Sequence, residues 1–207
     1  GMDDKEYQAF QEYAAMNDKH EYLWKSKGGT RDEQLVRDMA VFSAFGEGLQ
    51  LFASFVMLLN FQRHGKMKGM GQIVAWSIRD ESHHVESMIK LFHCLLDEKP
   101  HVWNDNFKKS LYDICRDMVT LEDRFIDLAF ELGPVEGLEP HEVKQYIRHI
   151  ADRRLLQLGL KPNYGVKDNP LEWVDWVVNG VEHTNFFENR STEYAKGALQ
   201  GDWADAF

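Results

Sequence analysis

The chain is 207 residues long, 43% hydrophobic and 13% aromatic, enough for one domain with a core of large side chains. Its net charge of −10 and the lack of any basic stripe exclude a nucleic-acid footprint. The longest apolar run, residues 49–61, is too short to span a bilayer and carries Gln50, so a membrane role is excluded as well.

Gly1 ahead of Met2 reads as the remnant of a removed tag. Residues 3–24 then form a first amphipathic stretch, closed by Gly28-Gly29. Thr30 followed by Glu33 is a capping-box pattern, in which hydroxyl and carboxylate satisfy each other's backbone N–H groups. The helix it opens is predicted over residues 31–62, stopping near Gly65. A second long helix is predicted over 67–98 and ends at Pro100, which cannot continue a helix. A third covers 104–132 and stops at Gly133-Pro134; Pro140 suits the first turn of a fourth, ending near Gly159. Asn169-Pro170 precedes a short aromatic segment with Trp173 and Trp176, and a last helix is predicted over 184–194. Cys94 and Cys115 lack metal-ligand spacing and no secretory leader pattern is visible, so a reducing, cytoplasmic setting is expected, with both thiols buried in helices. Long helices, short turns and no period-two alternation predict an all-α antiparallel bundle.

Chemistry is concentrated in two of these helices. Glu81 and His84 are three residues apart and project from one helical face, where carboxylate and imidazole together suit iron or manganese. Asp80/His83 and Glu98/His101 share that spacing, so the pair alone is weak. Glu47 adds to it, because it sits in an apolar stretch with Val41, Phe42, Phe45, Leu49 and Phe52, where a carboxylate is costly without a cation or hydrogen-bond partner. His64, beside the expected turn at Gly65, is equidistant from Glu47 and Glu81, so an antiparallel hairpin puts the two acids level. Carboxylate bundles that hold two metal ions take one Glu from each of two helices and a Glu-x-x-His from each of two others; Glu47, Glu81 and His84 make half of that set. The other reading ties Glu47 to an arginine or to the backbone.

Glu47-Gly48 in its apolar helix and Arg79-Asp80-Glu81 with His84 resemble the second metal half-site of class I (aerobic) ribonucleotide reductase small subunits. Three more motifs follow in that family's order: Ala151-Asp152-Arg153-Arg154-Leu155 with Leu158-Gly159, Asn169-Pro170-Leu171 with Trp173, and Asn185-Phe186-Phe187-Glu188 with Arg190, Glu193 and Tyr194. The resemblance implies a ferritin-like helical fold and a dinuclear iron or manganese–iron centre. It implies a subunit that uses oxygen to make a one-electron oxidant, for a large subunit that converts ribonucleotides to deoxyribonucleotides. By the same resemblance Glu47, Glu81 and His84 are metal ligands, and Asp80 is the acid that orients a ligand histidine on the electron path. Tyr194 is then the tail tyrosine that relays the radical, and residues 202–207 resemble the acidic, aromatic-ended tail that docks on the large subunit. Without it, Asp80 is a surface acid, Tyr194 a packing aromatic and the end a frayed terminus.

The family's first bundle helices supply a further Asp or Glu ligand, a second Glu-x-x-His pair and usually the radical tyrosine. Residues 3–24 carry no such pair, since His20 is preceded three residues earlier by Asn17. The expectation is therefore a ferritin-like bundle with its N-terminal helices missing: a helical domain over 1–183, then a C-terminal helix and tail over 184–207. Such a chain is inactive alone and its di-metal centre incomplete or absent, unless a homodimer joins two half-sites across a two-fold axis. The alternatives are another ferritin-like di-metal oxidase, or a catalytically dead helical fragment that retains partner binding.

Overall fold

The computed structural model describes residues 29–131 and 133–180 together with Asp18, Lys19, Glu21 and Tyr22. The helix predicted over 184–194, with Tyr194, and the tail lie outside the described residues, as does most of the stretch over 3–24.

Thr30 caps α1 (Arg31–Ala40) as its spacing predicts: its Oγ1 accepts from Glu33 N–H at 3.2 Å, and Glu33 Oε2 accepts from Thr30 N–H at 2.9 Å. The single helix predicted over 31–62 is corrected at this point. After Ala40 the chain widens into a π-helical segment, Val41–Glu47, and α2 (Phe52–Arg63) follows after a turn at Gln50-Leu51. The chain reverses at His64-Gly65 and enters α3 (Lys68–Glu98), so the predicted hairpin forms about the predicted turn. A 3-10 turn, Pro100–Val102, leads to α4 (Asp105–Glu131), and α5 (Pro140–Gln157) begins with Pro140 in its first turn. The short aromatic segment with Trp173 and Trp176 is a helix, α6 (Glu172–Gly180).

α5 stops where Gly159 adopts a φ of +81°, a conformation that side chains with a Cβ resist. Leu160 N–H then donates to Leu155 O and Gly159 N–H to Leu156 O, closing the helix end. Asn169 Oδ1 accepts from Leu171 N–H at 2.9 Å, fixing the turn into α6. The Leu158-Gly159 and Asn169-Pro170 motifs are thus punctuation of the fold.

α2 packs along α3, α4 along α5, and α1 against α3. The apolar stripes do this work: Val85, Ile89 and Phe92 on α3, and Leu111, Cys115, Met118 and Ile126 on α4, are all buried at helical spacing. Cys115 is fully buried, and burial pushes its thiol up to about 12; Cys94, expected to be buried, is exposed. Read as one rod, Arg31–Arg63 is long and apolar enough to cross a membrane, contrary to the sequence expectation. However, 56% of its most apolar window is buried within the protein, and the buried Gln50 and Asn60 reach Met118 Sδ and Glu136 O, the pattern of a core helix.

Candidate metal centre

Glu47 is the last residue of the π segment. Val41, Ser43, Ala44 and Phe45 anchor that segment in the core, and wide-turn hydrogen bonds hold its end: Gly48 N–H donates to Ser43 O, and Gln50 N–H to Phe45 O at 3.1 Å. π turns of this kind re-aim side chains within helices and cluster at functional sites. Across the hairpin, Glu81 and His84 come one turn apart from α3.

The three side chains converge. His84 Nδ1 stands 2.9 Å from Glu47 Oε2, and one donor atom from each of Glu47, Glu81 and His84 lies within 4.8 Å of the others. Nitrogen and oxygen donors sit ~2.1 Å from a small divalent ion, so adjacent donors on one ion stand ~3 Å apart. The Glu47–His84 separation fits that spacing. Two carboxylates and an imidazole, with no thiolate, suit iron or manganese. Partial burial pushes the Glu47 carboxyl above its ordinary range; His84 opposes this shift and Glu81 adds to it. The outer side of the site is open, with the Glu47 side chain 36% and the His84 side chain 54% exposed, which leaves room for further ligands.

The remaining candidates separate cleanly. Asp80 precedes Glu81 but is exposed, and no histidine pairs with it among the described residues. His83 is exposed beside it. The look-alike pair Glu98/His101 does not form a site: α3 ends at Glu98, His101 Nε2 lies 3.3 Å from Asp32 Oδ2, and Lys99 Nζ lies 2.8 Å from Asp32 Oδ1.

Two residues mattered more than the sequence reading recognised. Asp152 is buried and accepts three backbone N–H groups, from Asn163, Tyr164 and Val166 at 2.8–3.0 Å, so it builds the loop after α5. Arg154 reaches across the bundle, and its Nε donates to Gly48 O at 2.8 Å, beside Glu47. A glycine inside an apolar helix hints at a close approach of something to the backbone. Here that something is Arg154, whose Nε lies 2.7 Å from where a Cβ on Gly48 would sit.

The model of the ribonucleotide reductase small-chain family matches residues 1–170. The chain belongs to that family. A protein of Invertebrate iridescent virus 3 named "Probable ribonucleoside-diphosphate reductase small subunit" is 48% identical over 98% of this chain and 58% of its own length. The ribonucleoside-diphosphate reductase subunit beta of Chlamydia pneumoniae is 34% identical over 78% of this chain and 46% of its own. The ribonucleotide reductase R2 subunit from Clostridium botulinum shares the fold with a TM-score of 0.76 at 22% identity, covering 84% of this chain and 56% of that one. The fold is therefore the ferritin-like helical one of the small-chain family. This chain spans about half the length of these relatives, between 46% and 58%. The small-chain family is a di-metal family, and Glu47, Glu81 and His84 form the one candidate metal cluster among the described residues.

Proposed function

We propose that the chain is part of a class I ribonucleotide reductase small subunit, and that Glu47, Glu81 and His84 are its share of a dinuclear iron or manganese–iron centre. The convergence of these three donors from two helices carries the reading, and family membership supports it. When bound, such a centre supplies an oxygen-dependent one-electron oxidation, used by a large subunit to turn ribonucleotides into deoxyribonucleotides. The chain's own contribution is electrostatic and geometric. Its two carboxylates offset the charge of a cation, its imidazole adds a neutral donor, and the π segment aims Glu47 at the pair on α3. Asp80 next to Glu81 is, by the family resemblance, the acid that orients a ligand histidine on the electron path. Tyr194 relays the radical and residues 202–207 dock on the large subunit; the protein works as a homodimer in the cytoplasm.

The test is metal content. The full chain, incubated anaerobically with Fe²⁺ or Mn²⁺ and freed of excess, should retain roughly one ion per chain, and Glu81→Ala with His84→Ala should retain none. Retention near zero in the unaltered chain ends the reading. For the partner, an immobilised large subunit should capture the chain and lose it once residues 202–207 are removed. Capture that survives the removal takes the docking role from the tail.

A further inference from the structure

Arg154 is buried to 6% exposure, and although Glu86 and Asp175 line the same cavity, neither forms an ion pair with it among the described residues. Its partners are neutral: Nε donates to Gly48 O at 2.8 Å, Nη1 donates to Gln157 Oε1 at 2.8 Å, and the guanidinium lies 5.5 Å from the centre of the Phe52 ring. Taking a cation out of water without a counter-ion is expensive, and an apolar residue of similar volume is often as stable in such a place. Burial lowers the guanidinium to about 10, and the neighbouring Arg153 adds to the effect. Stability alone therefore gives a poor account of this arginine.

Its position gives a better one. Gly48 is the C-cap of the π segment that ends in Glu47, and Phe52 is the first residue of α2. One guanidinium thus touches both sides of the turn between the two helical segments. The peptide joining Glu47 to Gly48 is held by its N–H, which donates to Ser43 O; the next peptide is held by its carbonyl, which accepts from Arg154. Gly48 has no Cβ to obstruct that approach. We propose that Arg154 is a positioning residue for the metal centre, holding through the Gly48 carbonyl the stretch of backbone that aims Glu47 at Glu81 and His84. The inference rests on the metal reading above and assigns Arg154 a task beside that of Asp152, its neighbour in the motif Ala151-Asp152-Arg153-Arg154, which builds the loop after α5.

The full 207-residue chain tests it with Co²⁺ as the probe. The unaltered chain, Arg154→Met and Arg154→Lys are titrated while the visible absorption of bound Co²⁺ is followed, and amide exchange at residues 48–52 is measured without metal. Arg154→Met should keep its helicity and melt close to the unaltered chain. It should bind Co²⁺ about tenfold more weakly, the scale on which groups that hold metal ligands act. Its bound-ion spectrum should shift and exchange at residues 48–52 should quicken, while Arg154→Lys, which keeps one donor, falls between. Should Arg154→Met fail to fold, Gly48→Ala attacks the same contact from the other side and is judged by the same readouts. Co²⁺ affinity and spectrum equal to those of the unaltered chain overturn the proposal, whatever exchange does. If the unaltered chain binds no Co²⁺, the metal reading falls and this inference with it; normal binding there with no change in the variant removes only the role of Arg154.

Discussion

Asp152 illustrates how a single charged side chain serves architecture: it is buried and builds the loop after α5. Its two oxygens collect three backbone N–H groups of one loop, and hydrogen bonds to an ionised acceptor are among the stronger ones. Asp152→Ala strands those donors, and the expected loss is ~3 kcal/mol in urea denaturation with the helical content retained. A loss under ~1 kcal/mol means that water replaces the carboxylate. The same scale shows what was legible. Glu47, Glu81 and His84 were readable because an acid in an apolar stretch and a Glu-x-x-His pair each break the expected pattern. Arg154 was not readable as Glu47's support, because its contact spans 106 residues of chain and no spacing rule connects them.

At the scale of elements, the hairpin rule succeeded although its premise of one unbroken helix failed. Val41, Phe45 and Leu49 follow ordinary helical spacing, so the π segment leaves no mark in the apolar pattern. The widened turn forms where buried side chains and Arg154 hold it. A second device ties residues near the N-terminus to α4. Lys19 Nζ pairs with the buried Glu122, donates to Gln50 O at 2.9 Å and lies 4.4 Å from the centre of the Phe125 ring; Tyr22 Oη donates to Asp117 at 2.6 Å. Burial raises the Glu122 carboxyl to about 7 from its ordinary 4.5, with Lys19 opposing the shift. The folded chain therefore holds this proton more tightly than the unfolded chain does. Its contribution to stability is full below about 4.5 and falls as pH rises to about 7, by on the order of 3 kcal/mol. Urea denaturation from pH 4 to 8 should show that decline, Glu122→Gln should flatten it, and Lys19→Met should carry it to higher pH. Parallel curves for the unaltered chain and Glu122→Gln would falsify the assignment.

For the molecule as a whole, a cation held only by the folded state stabilises it by mass action. At a free Mn²⁺ concentration about 100 times the dissociation constant the gain is ~2.7 kcal/mol. The melting temperature should rise accordingly, return on adding a chelator, and stay flat in Glu81→Ala with His84→Ala; an equal rise in that double variant places the bound ion elsewhere. The all-α bundle, the hairpin about His64-Gly65 and the candidate trio Glu47, Glu81 and His84 follow from local rules, since caps, helix breakers and apolar periodicity act within a few residues. Rotation is different. Whether Glu47 faces His84 at 2.9 Å or points past it depends on one widened turn and one distant arginine. Contacts between residues far apart in the chain exist only once the helices pack, and side-chain direction at the site is settled there.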